Sequence, residues 1–452
     1  MGGEGKKRQY YPLCPSQAGV LAPFFLPEHE DVFLRFSFIV SGEYDLAAMK
    51  KAFCHLVETQ EALRLRLRFS LRGLRQYAAP YEPFDIPVVA LGKESELDGA
   101  IHAQPKMSNP LFGGPMYRAM IFTYDGGASL YMGFCHLCFD GYSVALTTHC
   151  LKEFYRAYAD GKTPQDGRCG SYLSCCGEDA AYRRSERFRE DRAYWKETLG
   201  AAPYLSRFLP RQSLRKIYSP TKTRQHFLDG ALYDSMAAFC RGNGVSTVYF
   251  LSAAAALTAR CLTGKKKIAF TGLSHGRSTA LQKRMVGMTV SSFFSLYDLS
   301  DGQRLSDYFS AGYLSYLDNI RHSRVSIYRV VLDSARTWLA HGYIPTCSDV
   351  YFGSLGQGDP PAEPGYSHRY VVPRYSFSQF YLIVSDNRRD RVGISNTYQT
   401  GHYSEEQIDR ITAAFFAVVA YVLAHPERTI AQLAASEELA QWARPDATKK
   451  ER

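Results

Sequence analysis

The sequence has no apolar run long enough to cross a lipid bilayer. Its longest, from Ile411 to Ala424, is shorter than the roughly 20 residues that a transmembrane helix needs. The first residues also lack the basic and then apolar layout of a signal peptide. We therefore expect a soluble, cytoplasmic protein with no membrane partner.

The eleven cysteines do not follow the pattern of a disulfide framework or of a zinc site. Their number is odd and their spacing irregular, which is typical of a protein from the reducing cytosol. Cys135 and Cys138 have the spacing of a Cys-x-x-Cys motif, but no second pair of ligands follows at a matching distance. We expect no bound metal and no tightly bound cofactor.

Long blocks of one charge are also absent. The formal net charge is +10, but the basic residues are spread thinly, and the group from Lys265 to Lys267 is not interleaved with aromatic residues. Surfaces that bind single-stranded nucleic acid combine a basic groove with stacked aromatic side chains, so we expect no nucleic-acid partner. The positive charge suits an anionic partner, such as a phosphate-bearing carrier or a coenzyme tail, or it is only a basic surface.

Both halves of the chain mix strand and helix patterns, which indicates an α/β or α+β fold. A hairpin is predicted over residues 116–123 and 129–136, followed by a helix from Gly141 to about Ala159. Towards the other end, Ser404 and Gln407 form a capping box for a long helix.

A chain of 452 residues is long enough for two domains or lobes. The stretch from about Ala159 to Asp191 is rich in glycine, serine, cysteine and charge, so we interpret it as the connection between them. We divide the chain into residues 1–180 and residues 181–452.

His136 is the first candidate for a catalytic group. An apolar strand-like run leads into it, and the turn residues Asp140 and Gly141 follow before the next helix. Imidazole titrates near neutrality, so a histidine held between rigid elements is suited to proton transfer. A single histidine beside apolar residues is more often a structural residue, so other features of the chain have to decide between the two roles.

The residues Cys135 to Gly141, CHLCFDG, resemble the HHxxxDG signature of the condensation domains of nonribosomal peptide synthetases, within the chloramphenicol-acetyltransferase-like superfamily. Other stretches resemble further blocks of this family in the same order along the chain. These stretches are YPLCPSQ at 11–17, TQEALR at 59–64, GPMYR at 114–118, YWKETL at 194–199, SHGR at 274–277, VGMTVSS at 286–292 and HPER at 425–428.

The resemblance implies two chloramphenicol-acetyltransferase-like lobes arranged in a V as a pseudodimer, an α+β sandwich in each. The first lobe, residues 1–180, would carry the HxxxDG loop, and residues 181–452 would form the second. A tunnel would reach His136 from both faces, one for the acyl thioester and the other for the accepting nucleophile.

The resemblance also assigns roles to residues of the loop. His136 is the expected base or hydrogen-bond acceptor for the attacking amine. Asp140 would point away from the substrate into an ion pair with Arg277, with Arg64 as a second candidate partner. Gly141 would permit a tight turn and let backbone N–H groups face the reacting carbonyl.

Substrate contacts are expected from Cys138, Tyr142, Ser143 and Ser291. Ser143 could bind substrate or cap the helix, and Cys138 could form a nucleophilic pair with the histidine. The chain departs from the family pattern where Cys135 replaces the first histidine and where Ser291 and Ser292 replace an Asn-Thr pair. Residues 322–326 match the family's HQDxP block poorly.

We predict a stand-alone, monomeric acyltransferase that forms an amide from an acyl or aminoacyl thioester and an amine. Phosphopantetheine on a carrier protein, or coenzyme A, would present the thioester. The sequence has no adenylation motif and no carrier serine block, so either activation and a carrier are supplied in trans or the chain is an excised domain. The alternatives are an O-acyltransferase with an alcohol acceptor and a condensation-like protein that only docks carriers.

Overall fold

The structure is a computed structural model of the 452-residue chain. It describes residues 9–21, 33–71, 73–104, 113–165, 169–200, 207–209, 219–341, 349–354, 364–371, 378–385 and 390–442. The helices are α1 (Pro15–Gly19), α2 (Leu46–Thr59), α3 (Leu97–His102), α4 (Gly141–Ala159), α5 (Tyr172–Tyr182), α6 (Glu186–Leu199), α7 (Gly230–Asn243), α8 (Thr247–Thr263), α9 (Leu305–Arg321), α10 (Ile327–Ala340), α11 (Glu405–Ala424), α12 (Ile430–Ala434) and α13 (Glu437–Ala440).

The strands are β1 (Tyr11–Pro12), β2 (Phe33–Ser41), β3 (Leu65–Ser70), β4 (Gly73–Ala78), β5 (Val88–Ala90), β6 (Tyr117–Tyr124), β7 (Gly127–Cys135), β8 (Thr221–Asp229), β9 (Lys267–Ser274), β10 (Ser291–Asp298), β11 (Val350–Ser354), β12 (Tyr366–Val371), β13 (Phe380–Ser385) and β14 (Arg391–Gln399). Short 3₁₀ turns lie at Glu61–Arg64, Glu94–Glu96 and Gln282–Arg284.

The chain divides into two compact units. The first contains the described residues of 1–188, 275–290 and 359–373, and the second contains the described residues of the remainder. The prediction of two continuous segments did not anticipate that two later stretches belong to the first unit. They belong there because β12 pairs with β2 and because residues of 275–290 bond to the Asp140 side chain.

In the first unit a five-stranded sheet has the order β12-β2-β7-β6-β5, and β1, β4 and β3 form a smaller sheet. The predicted hairpin is confirmed, because β6 and β7 pair in antiparallel fashion. Alternate residues of β2 and β7, such as Phe36 and Met132, share one face and one core cluster with residues of α2 and α4. This packing fixes both the strand and the helix that flank His136.

The second unit is built on a six-stranded sheet with the order β10-β9-β11-β13-β14-β8. Helix α8 is buried along most of its length, begins at a Ser246 cap and ends at Gly264, which has a φ of 74°. The predicted capping box of Ser404 and Gln407 at the start of α11 is also confirmed.

The stretch interpreted as a lobe connection contains helix instead. It includes α5 and the first part of α6. Ser171 caps α5 by accepting a hydrogen bond from the Ser174 backbone, and Tyr172, Leu173 and Cys176 supply the buried face. With Tyr182, the helix has four buried residues among serine, glycine and charge, which was too sparse a pattern to predict a helix from the sequence.

The expectation that no run is long enough for a membrane span was wrong by length and composition. Among the described helices α11 has 20 residues and meets both requirements, as does the bent pair α7 and α8 if counted as one. Helix α11 has a mean hydropathy of 1.5, but half of its most apolar 18-residue stretch is buried inside the protein. Ile411, Phe415 and Val418 lie in the core of the second unit. The core helix of a soluble protein passes the same test.

Candidate active site

A short loop joins the end of β7 at Cys135 to the start of α4 at Gly141. The Phe134 and Phe139 rings stack face to face across it, with centroids 4.1 Å apart and an interplanar angle of 6°. The Cys138 backbone N–H donates to the Cys135 carbonyl at 3.0 Å. The loop is therefore folded back on the core and carries His136 on a rigid support.

Asp140 is the N-cap of α4 and is fully buried. One of its carboxylate oxygens accepts hydrogen bonds from Ser143, from the backbone N–H at 2.9 Å and from the hydroxyl at 2.8 Å. An N-cap carboxylate satisfies N–H groups that have no partner within the helix. The sequence predicted that Ser143 could cap this helix, but the cap is Asp140.

Arg277 forms a bidentate ion pair with Asp140, and both side chains are completely buried. The two guanidinium nitrogens lie 2.9 and 3.1 Å from the two carboxylate oxygens. The guanidinium also donates to the carbonyl of Gly287 at 2.9 Å. Arg64, the second candidate, donates instead to the carbonyls of Val57 and Ala79.

The charge of Arg277 decides the ionisation of Asp140. Burial alone would raise the pKa of this carboxyl. The guanidinium and the hydrogen bonds from Thr289 and Ser143 outweigh burial, so the pKa lies below its ordinary value. The aspartate is ionised at neutral pH and is fully engaged in holding the loop.

Two glycines in the segment 275–290 make room for this network. Gly276 has a φ of 66°, and a Cβ there would lie 2.0 Å from the Thr289 carbonyl oxygen. A Cβ at Gly287 would lie 2.3 Å from the ring of Tyr172. Both positions therefore need glycine if the segment is to reach Asp140.

His136 immediately follows β7 and is partly exposed. Burial lowers the pKa of its imidazole, and the Asp140 charge and backbone hydrogen bonds at His136 and Phe139 oppose that shift. Because the net shift is downward, the ring stays neutral to a lower pH than an ordinary histidine. A neutral imidazole can accept a proton or a hydrogen bond.

The structure places the other predicted residues in different surroundings. Ser143 is buried, and its hydroxyl lies 3.1 Å from both the Arg277 guanidinium and the Gly287 N–H, so it belongs to the ion-pair network. Gly141 is the first residue of α4. The nearby Ser143 N–H is already used by Asp140, which limits the donors that this helix start could offer a carbonyl.

Cys138 is a core residue in the structure. Its thiol is buried and donates to the Cys135 carbonyl at 3.3 Å. Burial raises its pKa well above the ordinary value, which disfavours the thiolate that a nucleophile needs. This placement argues against the substrate contact expected from the sequence and against the covalent route considered there as an alternative.

Tyr142 and Ser291 belong to different units. The Tyr142 ring lies 4.4 Å from the Arg277 guanidinium carbon, and its hydroxyl donates to the Lys283 carbonyl at 3.1 Å. Ser291 belongs to the second unit, where its hydroxyl lies 3.3 Å from that of Ser323.

Two residues at this site were missed by the sequence reasoning. Thr289 donates its backbone N–H to Asp140 at 3.1 Å, and His275 adjoins Gly276 in the loop that carries Arg277. The signals were present, because Thr289 lies in one motif-like block and His275 in another. Across the described parts of the chain, no three histidine, cysteine or acidic side chains are grouped so as to hold a metal ion.

The sequence matches the family model for the condensation domain over residues 7–441. It is 22% identical over 396 residues to surfactin synthase subunit 1 from Bacillus subtilis (strain 168), covering 86% of this chain and 11% of that protein. It is 22% identical over 444 residues to tyrocidine synthase 3 from Brevibacillus parabrevis, covering 95% and 6%. The chain thus spans only about a tenth, or less, of the length of these relatives.

Solved structures give the same fold. The starter condensation domain of rhizomide synthetase RzmA in complex with C8-CoA has a TM-score of 0.78 at 17% identity, covering 94% of this chain and 97% of that one. The SgcC5 protein from Streptomyces globisporus, in complex with a naphthyl ethanediol and sucrose, has a TM-score of 0.76 at 17% identity, covering 92% and 100%. The predicted mixed α/β class with two chloramphenicol-acetyltransferase-like lobes is confirmed.

Proposed function

The chain belongs to the condensation domain family, and from that premise we propose that it transfers an acyl or aminoacyl group from a phosphopantetheine thioester to an amine. Condensation domains are acyltransferases that form amide bonds in nonribosomal peptide synthesis. One observation supports the proposal most. His136 lies on the same loop as a buried, ionised Asp140, and Arg277 balances the charge of this aspartate.

The chemistry assigned to His136 follows from its ionisation. An amine that attacks a thioester carbonyl forms a C–N bond and acquires positive charge, so it needs a group to take up a proton. Neutral His136 either takes up that proton or accepts a hydrogen bond from the attacking N–H. When the C–S bond breaks, the departing thiolate takes a proton in turn, and the imidazole returns to its neutral form.

Asp140 acts on this chemistry only through the structure of the loop. Its two carboxylate oxygens are occupied by Arg277, Ser143 and Thr289. A carboxylate with these partners is a poor proton acceptor, because its pKa is held below the ordinary value. We assign it to fixing the end of β7 relative to the start of α4.

We further propose that the carrier acts in trans, that the chain works as a monomer in the cytoplasm, and that the donor is carrier-bound in preference to acyl-CoA. A direct assay mixes the purified chain with a separately purified carrier loaded with a radiolabelled acyl group and a panel of amines, and follows products by mass spectrometry. We expect an amide with at least one amine. Recovery of only loaded carrier and free acid from the whole panel would overturn the proposal.

An ester-forming reaction is the second candidate. It is favoured by the SgcC5 protein, whose structure is similar to this chain and holds an ethanediol. The matched acceptors 2-phenylethylamine and 2-phenylethanol separate the two, since they differ only in the nucleophilic atom. A faster reaction with the alcohol would favour the ester, and competition between loaded carrier and octanoyl-CoA identifies the donor.

A role limited to docking carriers is the third candidate. The intact ion pair and its supporting glycines support catalysis instead, because a degenerate site has no need to preserve a buried charge pair. Saturable carrier binding without any product, and with the same affinity in a His136→Ala variant, would favour the docking role.

A further inference from the structure

His275 presents a second imidazole on the loop that carries Arg277. It directly precedes Gly276 and Arg277 in the stretch SHGR, which resembles a Ser-Gly-Arg block of the condensation family. The histidine stands where that block has its serine. The residue is exposed, whereas the Arg277 side chain two positions later is fully buried. No role in the chemistry above requires a histidine at this position.

The backbone of His275 is held in place by the network around Asp140. Its carbonyl accepts hydrogen bonds from the Arg277 guanidinium at 3.0 Å and from the Thr289 hydroxyl at 2.8 Å. The next residue, Gly276, has no room for a side chain against the Thr289 carbonyl. The imidazole therefore projects from a fixed point.

A further contact, from the Arg277 backbone, sets the tautomer of the His275 ring. The Arg277 backbone N–H lies 3.0 Å from Nδ1 of His275. A backbone N–H can only donate, so Nδ1 is the acceptor and the ring proton of the neutral form is on Nε2. Partial burial of the ring lowers the pKa of this imidazole, and the charges of Arg277 and Lys283 lower it further, against the opposing charge of Asp140.

Tyr142 forms the wall beside this ring. The two ring centroids lie 5.2 Å apart, and Tyr142 is itself fixed by Arg277 and by its hydrogen bond to the Lys283 carbonyl. The Tyr142 hydroxyl proton is thus already used. Nε2–H of His275 has no hydrogen-bond acceptor among the described residues, so it is a donor that this surface can offer to a ligand.

We propose that His275 is a substrate-binding residue that donates a hydrogen bond from Nε2–H to an oxygen of one of the two substrates, with Tyr142 as the apolar wall. The oxygen is a carbonyl, hydroxyl or carboxylate oxygen of the acyl donor or of the accepting nucleophile. The inference rests on the proposed acyl transfer and specifies a contact made next to the Asp140 and Arg277 pair.

The test compares His275→Ser, which places the motif's residue at this position, with His275→Asn. Both new side chains can accept the Arg277 N–H, but the serine O–H ends close to the backbone, whereas the longer asparagine keeps an N–H donor further out. We expect His275→Ser to raise KM for one substrate roughly three- to tenfold, as the loss of one hydrogen bond implies, and kcat to stay within about twofold. His275→Asn should recover part of the change.

The matched control is His102→Ser, an exposed histidine of α3 whose ring lies against the carbonyl of Asp98. It should leave both KM values unchanged. Varying the loaded carrier and the amine separately shows which substrate supplies the oxygen. Unchanged KM values in His275→Ser, or a change in melting temperature without a change in either KM, would overturn the inference.

A measurement that needs no turnover separates this inference from the proposed function. In protein labelled with ¹⁵N-histidine, the signals missing from His275→Ser identify the ring, and the tautomer should have its proton on Nε2. Octanoyl-CoA or 2-phenylethylamine should shift that Nε2 signal. A shift without turnover supports the contact and counts against the function, whereas turnover without a shift for any substrate of the assay counts against the contact.

Discussion

A buried aspartate lies next to a histidine-bearing loop in each of the two units, with different partners. In the first unit Asp140 pairs with Arg277, and His136 lies four positions before it. In the second unit Asp191 pairs with a histidine itself, with Nδ1 of His322 at 2.7 Å. The second pair is packed further, because the His322 ring stacks on Tyr194 with centroids 3.9 Å apart.

The two buried aspartates therefore differ in their partner, an arginine at Asp140 and a histidine at Asp191. We infer a structural role for His322, because its ring is bonded to Asp191 and stacked on Tyr194. At the other site Arg277 takes both oxygens of Asp140, so we propose that this aspartate fixes the loop and that His136 serves the chemistry. The partner of the aspartate is therefore the feature that distinguishes the two sites.

The largest effect should come from Arg277→Ala. Removing the guanidinium leaves the buried Asp140 charge uncompensated, which costs about 3–5 kcal/mol in the free energy of unfolding. Urea denaturation measures this loss in the free energy of unfolding. Arg369→Ala is the control, because Arg369 forms exposed ion pairs with Asp98 and Glu94 and should cost about 1 kcal/mol or less. Equal costs in the two variants would remove the basis of the comparison.

A somewhat smaller effect is expected from Gly287→Ala. The added methyl group would overlap the buried ring of Tyr172 and displace the carbonyl that accepts from Arg277. Overpacking of this kind costs about 3 kcal/mol at the upper end of its usual range. Gly302→Ala offers a control with open space around the new Cβ. If both variants unfold at the same urea concentration, the segment is less tightly held than the structure indicates.

His322→Ala tests the other side of the comparison. It leaves Asp191 buried without its imidazole partner and should cost about 1–2 kcal/mol of stability. Because this histidine is assigned a structural role, kcat at a temperature well below the melting point should stay within about twofold of wild type. A loss of kcat comparable with that of a His136 variant would contradict the assignment.

The smallest effect is on acid stability. The folded-state pKa of Asp140 is below its unfolded value of about 3.9, so its contribution is fully present above that pH and is lost as the pH falls through the folded pKa. In Arg277→Ala, acid instead protonates the unpaired Asp140 carboxylate and so removes the cost of burying its charge. The stability difference between wild type and this variant should therefore narrow from pH 5 towards pH 2.5. A constant difference would mean that Asp140 is not the ionised partner.

The residues that the sequence predicted best are those specified by local patterns. The HxxxDG spacing indicated His136 and Asp140, and the alternation and capping residues gave the β6–β7 hairpin and the starts of α4 and α11. Arg277 came from the order of motif blocks along the chain. These features depend on short-range periodicity or on a resemblance that covers nearly the whole chain.

The sequence could not reveal which distant backbone groups would meet. Ser143 was expected at the substrate, but its hydroxyl donates to Asp140 and accepts the N–H of Gly287, 144 positions along the chain. Strand β12 pairs with β2 across more than 300 positions, which no local pattern encodes. Cys138 had the right spacing for a partner of His136, but burial, which depends on tertiary packing, made it a core residue.

The central claim is that His136 accepts a proton from the nucleophile while the Asp140–Arg277 pair supports the loop. The most direct measurement is the pH dependence of kcat/KM for wild type and His136→Ala with a loaded carrier and a reactive amine. We expect the variant to lose about 10²–10⁴-fold in rate with an unchanged melting temperature, and the wild-type rate to fall at acid pH only below the ordinary histidine pKa of 6.5. Full turnover by His136→Ala would contradict the claim.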